Sequence, residues 1–373
     1  MPDVQTLDER AVALLRELSG PHGIRASASA TGNYQNVFAR DAVMAGIAGM
    51  LLGDSTIVDG FVRTLERLRD LQGAEGQIAS NYAIRDGQPV HVSFGTLVPR
   101  IDANTWYLIG IALGARAGVI DPAAYRDSVR AVVRLLDALE YNGRHLIYIP
   151  VGGNWADEYI YDGYVLYDQL LRVWALRLLG EEEKAALIAD VIDRAYWPEE
   201  RPLPYPVSAF SPTRRRDTFD LAACSLLGMS GIIASRVGTT LNWVAERFTR
   251  QARLPPAFDP VIDETHPEWP ALRRYQLLGF RNHPHEYHNG GIWPIWLGWL
   301  SLALARHGRP DDLTRLRELV ARALNGANNF QFQEYLHGVT GAPGGTPSMA
   351  YTATGLIFLR LAGSPAQARV LGP

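Results

Sequence analysis

The 373-residue sequence predicts an all-α protein, an (α/α)6 toroid of six helical hairpins with twelve helices in inner and outer rings. Two observations lead to this fold class. Amphipathic segments alternate six times with segments that are apolar on every side, and the apolar segments recur about every 54 to 74 residues. A helix that is apolar all round must be surrounded by protein, whereas an amphipathic helix can face solvent. We therefore expect residues 1–373 to form a single barrel domain.

The amphipathic segments are predicted to form the outer ring. Segment 121–140 shows the pattern: Val132 and Leu136 lie on one helical face, and Arg130 and Arg134 lie on the other. The six predicted outer helices cover residues 5–19, 55–72, 121–140, 182–197, 232–250 and 309–325.

The apolar segments are predicted to form the inner ring, with helices that begin near residues 41, 102, 163, 217, 291 and 348. An open α-solenoid is the alternative arrangement. The inner helices of a solenoid would expose a concave surface to solvent. These segments carry almost no charge, which argues against such exposure. Residues 251–290, rich in Pro, His and Glu, form the longest irregular insertion, and a connection of that length in a compact domain is usually functional.

Polar and aromatic residues cluster at the start of five of the six predicted inner helices, at 40–41, 100–106, 153–164, 285–293 and 333–341. In a closed double ring the inner helices run in the same direction, so the loops that precede them meet at one mouth. Asp41, Asp102 and Asp217 also occupy positions typical of a helix N-cap, which is the alternative role for these three residues.

The mixture of side chains at this mouth is typical of a carbohydrate site. Indole rings stack on the apolar faces of sugars, and Asp, Asn and Arg form hydrogen bonds with their hydroxyl groups. Aromatic planes are expected from Trp106, Trp155 and Trp293, and polar contacts from Arg40, Asp41, Asp102, Asn104 and Asn289.

Two carboxyl groups at the mouth are candidates for acid–base catalysis of glycosidic cleavage. That reaction needs one protonated and one ionised carboxyl group on opposite sides of the bond. Asp157 lies beside Trp155 and Glu158, an apolar and a like-charged neighbour that would raise its pKa. Glu334 lies far along the chain but in a loop that reaches the same mouth.

Composition excludes several other chemistries. Lys184 is the only lysine among 36 basic residues and lies in an acidic run, which argues against a P-loop or a Schiff base. Cys224 is the only cysteine, so the chain can form neither an internal disulfide nor a Cys-rich metal site. The 39 acidic residues offset the 36 basic ones and leave a net charge of −3, so no nucleic-acid partner is expected.

We expect a cytoplasmic protein without a membrane partner. The first residues lack the basic start and apolar core of a signal peptide. The longest uncharged apolar stretch, 290–305, is shorter than the roughly 18 to 20 residues that cross a bilayer, and it contains Pro294. No cofactor is expected, and the sequence indicates no oligomeric state.

Five motifs follow one another over residues 33–362: Phe-Ala-Arg-Asp at 38–41, Asp-Ala-Asn-Thr-Trp-Tyr at 102–107, Trp-Ala-Asp-Glu at 155–158 with Asp-Gly-Tyr at 162–164, His-Asn-Gly-Gly-Ile-Trp-Pro at 288–294, and Glu334 with Thr-Gly at 340–341. In these motifs the chain resembles the (α/α)6 glycoside hydrolases that include glycoside hydrolase family 63, its mannosylglycerate-hydrolase-like members and the glucosidase domain of glycogen-debranching enzymes.

The resemblance implies an inverting glycoside hydrolase in which Asp157 is the general acid and Glu334 is the general base. It implies a small α-linked substrate, an α-glucoside or α-mannoside, with glycosyl-glycerates included. Glu158 stays open as an alternative acid. The predicted substrate-binding residues are Arg40, Asp41, Asp102, Asn104, Trp106, Trp155, Glu158, Asp162, His288, Asn289, Trp293 and Tyr335.

Other functions remain open at this point. A sugar epimerase on the same barrel would use two histidines, with His288 and His337 as candidates, and would leave the carboxyl pair without a role. A non-catalytic sugar-binding barrel would have the aromatic residues without both carboxylates. A helical-repeat scaffold is the weakest alternative, because it would not concentrate Trp and acidic residues at helix starts.

Two further clusters have alternative interpretations. His283, His285, Glu286 and His288 resemble a metal cluster, but their spacing is irregular and Pro284 interrupts it. The run 214–216 consists of three arginines, which form either a solvated turn or a grip on a carboxylate or phosphate group of the substrate.

Overall fold

The computed structural model describes residues 4–96, 98–140, 143–200, 202–274, 279–327 and 330–372. The helices in these ranges are α1 (Val4–Leu18), α2 (Ala39–Leu52), α3 (Ser55–Asp70), α4 (Asp102–Arg116), α5 (Arg126–Ala138), α6 (Leu166–Leu178), α7 (Glu182–Ala195), α8 (Leu221–Ser230), α9 (Ala234–Arg247), α10 (Trp269–Arg273), α11 (Pro294–Arg306), α12 (Pro310–Gly326), α13 (Ala350–Leu361) and α14 (Pro365–Leu371).

Six of these helices, α2, α4, α6, α8, α11 and α13, form the inner ring. Each packs against the next in chain order, and α13 packs against α2. Because the last helix contacts the first, the ring is closed and the open solenoid is excluded. The inner helices are buried nearly all round, which explains their apolar composition. Gly298 on α11 contacts the backbone of Gly355 on α13, an approach that a side chain at either position would prevent.

The outer ring consists of α1, α3, α5, α7, α9 and α12, each packed against an inner helix. These helices bury one stripe each, as α5 does with Val132 and Leu136. Segment 121–140 is helical in two parts, because a 3-10 turn over Pro122–Tyr125 precedes α5. Two short helices were not predicted: α10 lies in the 251–290 insertion, and α14 packs against α2 and α4.

The all-α prediction is wrong in one respect, since short antiparallel strands connect the rings. They are β1 (Ser19–Gly20), β2 (Gly23–Ile24), β3 (Val37–Phe38), β4 (Asn81–Arg85), β5 (Gln88–Ser93), β6 (Tyr164–Val165), β7 (Ala209–Ser211), β8 (Arg214–Arg216), β9 (Phe219–Asp220), β10 (Phe258–Asp259), β11 (Tyr335–Leu336) and β12 (Pro343–Gly344). They pair as β1-β2, β3-β4-β5, β6-β7-β8, β9-β10 and β11-β12. Strands β3, β6 and β9 lead directly into inner helices and so hold the start of each helix in place.

The helix starts correct the N-cap assignments. Helix α8 begins four residues after Asp217, and its cap is Asp220, whose carboxylate accepts a hydrogen bond from the Ala223 amide at 3.1 Å. Asp41 and Asp102 lie inside the first turns of their helices, where the positive end of the helix dipole favours a carboxylate. Within the described ranges, no helix is long and apolar enough to cross a membrane.

Candidate active site

A cavity of about 600 Å³ opens at the N-terminal ends of the inner helices. Five of the loops and first turns at these helix starts contribute to its wall: Arg40 and Asp41 at α2, Arg100 and Asp102 at α4, Trp155 and Asp157 before α6, Tyr287 and Trp293 before α11, and Glu334, Thr346 and Tyr351 around the start of α13. Residues 31–34, Ser80, Asn81, Thr96 and Arg281 line the same space. The polar clusters of the sequence therefore share one cavity.

The two candidate catalytic carboxyl groups approach this cavity from opposite sides of the ring. Asp157 precedes α6, the third inner helix, and Glu334 precedes α13, the sixth. Positions three apart in a closed ring of six lie across from each other. The closed order of contacts thus gives the arrangement that acid–base cleavage of a bound glycoside needs.

Asp157 forms an ion pair with a neighbouring loop. Nη1 of Arg100 lies 2.9 Å from the Asp157 carboxylate and also donates to the carbonyl oxygen of Asn154 at 2.9 Å. The Asp157 side chain is 32 % exposed, and it lines the cavity. Burial alone would raise the pKa of Asp157, but the Arg100 guanidinium that pairs with it holds this pKa below its ordinary value. The expectation that neighbours in sequence raise this pKa is wrong, because a cation from another loop dominates.

Glu334 has the opposite environment. It is 3 % exposed, and its carboxylate oxygens accept hydrogen bonds from the Tyr34 hydroxyl at 2.6 Å and the Thr346 amide at 2.9 Å. Burial raises the pKa of Glu334, and the hydrogen bonds from Tyr34 and Thr346 offset only part of that effect. The two carboxyl groups therefore have pKa values displaced in opposite directions, an arrangement common in acid–base pairs.

A tight hairpin positions Glu334. Strand β11 follows it directly, and the partner strand β12 ends one residue before Gly345. Gly345 has a φ of +78°, and a Cβ atom there would overlap the Glu334 carboxylate. Only glycine combines that backbone conformation with room for the carboxylate.

A network of charges forms one part of the cavity wall. Arg40 donates to the carboxylates of Asp41 at 3.2 Å and Asp102 at 3.0 Å, and its guanidinium lies 5.7 Å from the centre of the Tyr351 ring. Asp41 and Asp102 are both buried. The pairing fixes these side chains before any ligand arrives, which favours selective hydrogen bonding to sugar hydroxyl groups.

Four buried polar atoms around the cavity lack a hydrogen-bond partner among the described residues: Oδ1 of Asp102, Nε1 of Trp155, Nδ1 of His288 and the Tyr351 hydroxyl. Asp102, Trp155 and Tyr351 line the cavity, and His288 packs against its aromatic wall. Buried polar groups in proteins are nearly always hydrogen-bonded. Donors and acceptors concentrated in this way fit a ligand that carries many hydroxyl groups.

The aromatic wall consists of Trp155 and Trp293, and His288 packs against both indole rings. The two indole rings meet edge-on with centroids 5.7 Å apart, and the His288 ring stacks on Trp293 at 5.3 Å. Burial lowers the pKa of His288 to about 3, so its ring is neutral near pH 7. His288 is outside the cavity lining and supports the two indoles from behind.

Two predicted binding residues lie deeper in α4. Trp106 is fully buried between Trp174 and Trp299 and donates to the Tyr167 hydroxyl at 2.9 Å. Asn104 accepts from the Ile78 amide at 2.9 Å and donates to backbone carbonyl groups. Neither side chain lines the cavity, so both stabilise the packing beneath it.

Three more predicted residues also lie outside the cavity lining. Asn289 accepts from the Ile262 amide and donates to the Ile262 carbonyl oxygen, at 2.8 and 2.7 Å, and so ties two segments of the insertion together. Tyr335 stacks against Trp293 at 5.9 Å. Asp162 forms an ion pair with Arg214 at 2.9 Å.

Glu158, the alternative acid, is also outside the cavity lining. It is buried and forms an ion pair with Arg281, whose Nε lies 3.0 Å from its carboxylate. Arg281 reaches it from the 251–290 insertion and itself lines the cavity over the Tyr287 ring. Because Asp157 lines the cavity and Glu158 does not, Asp157 is better placed to reach a ligand there.

Among the cavity-lining residues that sequence reasoning missed, five are tyrosines or arginines: Tyr34, Arg100, Arg281, Tyr287 and Tyr351. Arg100 and Tyr287 lie within the polar and aromatic clusters at 100–106 and 285–293, so their positions at predicted helix starts could have identified them. Tyr34 and Arg281 reach the site only through long-range folding and carry no local signal.

The remaining sequence alternatives lose their basis in the structure. Arg214 and Arg216 pair with Glu268 and Asp162, and Arg215 pairs with Asp217, so the arginine run is neutralised away from the cavity. Across the described part of the chain, no group of three or more His, Cys, Asp or Glu side chains could hold a metal ion. His337 lines a neighbouring cavity with His285, so it does not share a site with His288.

A cavity of about 710 Å³ lies at the opposite end of the ring, among the C-terminal ends of α4, α6, α8 and α11. Arg116, Arg177 and Arg306 line it and donate to backbone carbonyl groups at chain and helix ends. Glu182 is the one carboxylate among its described lining residues, so this cavity lacks a carboxyl pair.

Comparisons with known proteins agree with the geometry. The family model described as alkaline and neutral invertase matches residues 268–361, a quarter of the chain that includes Glu334. No match was found among curated proteins.

Solved structures resemble almost the whole chain. A GH63 mannosylglycerate hydrolase from Thermus thermophilus in complex with glucose has a TM-score of 0.68 and 15 % identity, over 94 % of this chain and 99 % of that one. A bacterial glucoamylase complexed with acarbose has a TM-score of 0.68 and 15 % identity, over 98 % of this chain and 56 % of that one. A rhamnosidase from Klebsiella oxytoca has a TM-score of 0.66 and 11 % identity, over 96 % of this chain and 64 % of that one. The resemblance to (α/α)6 glycoside hydrolases is confirmed at the level of the fold.

Proposed function

We propose that the chain is an inverting glycoside hydrolase for small α-linked glycosides, with Asp157 as general acid and Glu334 as general base, and that the chain acts as one catalytic domain. One observation carries this proposal. Two carboxyl groups approach, from opposite sides of the ring, one cavity around which buried polar atoms lack a hydrogen-bond partner among the described residues. An acid–base pair around a polyhydroxylated ligand requires these features.

Binding begins with the fixed charge network. The sugar hydroxyl groups replace solvent at Asp102, Arg40 and Tyr351, and the ring lies against the indoles of Trp155 and Trp293. A volume of about 600 Å³ accommodates a glycoside of one or two sugar rings rather than a polysaccharide chain.

The chemical step uses both carboxyl groups at once. Protonated Asp157 gives its proton to the glycosidic oxygen as the bond to the anomeric carbon breaks. Glu334 accepts a proton from a water molecule that attacks this carbon from the other side, and the sugar leaves with inverted configuration. The Tyr34 hydroxyl and the Thr346 amide orient Glu334 for this role.

The substrate class is an α-glucoside or α-mannoside, with glycosyl-glycerates included. Support comes from the structural relatives, among them a mannosylglycerate hydrolase. Arg100 and Arg281 line the cavity and present guanidinium groups to which an anionic aglycone can bind.

A panel of α-linked glucose and mannose disaccharides, glucosylglycerate and mannosylglycerate tests the proposal, with products followed by NMR from the first minutes. We expect at least one compound to release the inverted anomer, and the double variant Asp157→Asn/Glu334→Gln to release none. A retained anomer would exclude Glu334 as the base for water. No cleavage across the panel would exclude the substrate class.

The same spectra separate the other candidate functions. An isomerised sugar with intact linkage would indicate an epimerase, and saturable binding without any product would indicate a sugar-binding barrel. The separation of His337 from the cavity argues against the first, and the presence of both carboxyl groups argues against the second.

A further inference from the structure

The ion pair between Arg100 and Asp157 conflicts with the proposed role of Asp157, and this inference rests on that proposed function. An acid must carry a proton when the glycosidic bond breaks, whereas a carboxylate in contact with a guanidinium is ionised. We infer that Arg100 is a positioning residue that holds Asp157 ionised in the free enzyme and is displaced from it when a glycoside binds.

The geometry around Arg100 allows such an exchange of partners. Arg100 lies directly before Ile101, whose amide donates to the Gly153 carbonyl oxygen at 2.7 Å, so the two loops are joined at their backbones. Its Nη1 is shared between Asp157 and the Asn154 carbonyl oxygen, both at 2.9 Å. When the ion pair between Arg100 and Asp157 separates, the Asn154 carbonyl oxygen still accepts a hydrogen bond from Arg100, so the guanidinium remains in the cavity wall.

Asp157 is accessible to a ligand, while Arg100 is less so. Their side chains are 32 % and 15 % exposed, and both line the cavity. The glycosidic oxygen must come within hydrogen-bonding distance of Asp157 to receive its proton. A leaving group in that position occupies the space from which Arg100 contacts the carboxylate.

The groups that face Asp157 come from four loops and helix starts: Arg100, Arg40, Asp41, His288, Tyr287 and Glu334. Burial and the two carboxyl groups favour protonated Asp157, and the arginines favour the ionised form. Arg40 is already bonded to Asp41 and Asp102, and His288 is neutral near pH 7 because burial lowers its pKa to about 3. Withdrawal of Arg100 therefore shifts the balance towards the protonated form.

The protons balance over one turnover. Glycoside binding separates the ion pair, and ionised Asp157 takes up one proton from solvent. That proton passes to the glycosidic oxygen when the bond breaks, while Glu334 takes one proton from the attacking water. Glu334 returns its proton to solvent after product release, and Arg100 pairs again with Asp157.

This cycle is tested by the pH dependence of Arg100→Gln, with Arg236→Gln on α9 as a matched control. Arg236 pairs with Asp193 on the outer ring, far from the cavity. The probes are methyl α-D-glucopyranoside and methyl α-D-mannopyranoside, whose poor leaving groups need protonation, and α-D-glucosyl fluoride, which does not. The pH profile of kcat/KM reports the free enzyme, and that of kcat reports the complex.

For the methyl glycosides, we expect Arg100→Gln to move the basic limb of kcat/KM upwards by about one pH unit or more, since an adjacent arginine typically lowers a carboxyl pKa by 1–3 units. The basic limb of kcat should stay in place, because Arg100 is already displaced in the complex. Arg100→Lys should show a smaller shift, and neither Arg236→Gln nor the fluoride should show any.

An equal loss of kcat and kcat/KM with unmoved limbs would assign Arg100 a merely structural role and overturn this inference alone. A basic limb that moves equally in kcat would also overturn it, since the pair would then persist in the complex. If Arg100→Gln fails to fold, Arg100→Lys supports the same comparison. If the wild-type protein cleaves none of the probes or panel compounds, the proposed function fails and this inference fails with it.

Discussion

Asp157 and Glu334 are carboxylic acids at one cavity, yet their surroundings differ in almost every respect. Asp157 is one-third exposed and contacts a guanidinium, whereas Glu334 is buried and bonded to two uncharged donors. The ring positions both groups opposite each other, and the loops determine their pKa values. The fold thus determines where the two carboxyl groups lie, and a few loop residues determine the pKa of each.

The largest expected effect is loss of catalysis when either carboxyl group is removed. Asp157→Asn and Glu334→Gln should each lower kcat for an α-glycoside by about 10³-fold or more, because a general acid or base contributes about 10²- to 10⁴-fold and both act in one step. Steady-state kinetics would measure this, with Asp190→Asn on the outer helix α7 as a control that keeps full activity.

A substrate that needs no acid distinguishes the two roles. Asp157→Asn should recover most of its activity on α-D-glucosyl fluoride, since fluoride leaves without a proton, whereas Glu334→Gln should stay inactive. The reverse pattern would exchange the assignments and make the buried carboxyl group the acid.

The second effect concerns the hairpin that positions Glu334. Gly345→Ala should lower kcat by about 10²-fold, because a methyl group there displaces the carboxylate and a shift near 1 Å has this effect on catalysis. Gly341→Ala is a matched control, with a φ of +71° in the same loop and no atom within 4 Å of an added Cβ. Equal losses in both variants would attribute the effect to backbone strain rather than to Glu334.

The smallest effect is on stability, and it has opposite signs for the two sites. The folded-state pKa of Glu334 is raised, so its ionisation destabilises the fold as pH rises, and Glu334→Gln should stabilise the protein at pH 7 by about 1 kcal/mol. The pKa of Asp157 is lowered, so its stabilisation is present at pH 7 and lost on acidification, and Asp157→Asn should destabilise by a similar amount.

Thermal denaturation of both variants between pH 4 and 7 would measure this difference. The Glu334→Gln offset should shrink towards pH 4, where Glu334 becomes protonated in both the folded and the unfolded chain, whereas the Asp157→Asn offset should largely persist at pH 4, because its loss requires further acidification towards the lowered folded-state pKa. Offsets of the same sign at pH 7 would contradict the contrast between the two sites.

The ring itself was predictable from sequence. Inner helices α2 and α8 begin at Ala39 and Leu221, within four residues of the predicted starts at 41 and 217. The prediction succeeds because a helix enclosed by other helices must be apolar on every side, so each inner helix is visible in the sequence as a continuous apolar segment. Strands of two to six residues and the short helices α10 and α14 are too brief to show a period.

The candidate site was predictable where residues lie at helix starts. Asp102 begins α4 and lines the cavity, while Trp106, one turn further, lies about 6 Å deeper and belongs to the core. Sequence alone also could not reveal the partners of each carboxyl group. Arg100 comes from another loop, and Tyr34 is 300 positions from the Glu334 carboxylate that it contacts.

That last separation has a consequence for biosynthesis. Tyr34 bonds to Glu334, and Ser27 in the same early loop bonds to the Pro347 carbonyl oxygen 320 positions later. At about 5 to 20 residues per second, a ribosome needs about 15 to 60 s to add the intervening chain. The nascent polypeptide therefore emerges without the contacts that orient the Glu334 carboxylate, and a chain that stops before residue 334 lacks the proposed base. The proposed site can therefore assemble only after the segment that contains Pro347 has been synthesised.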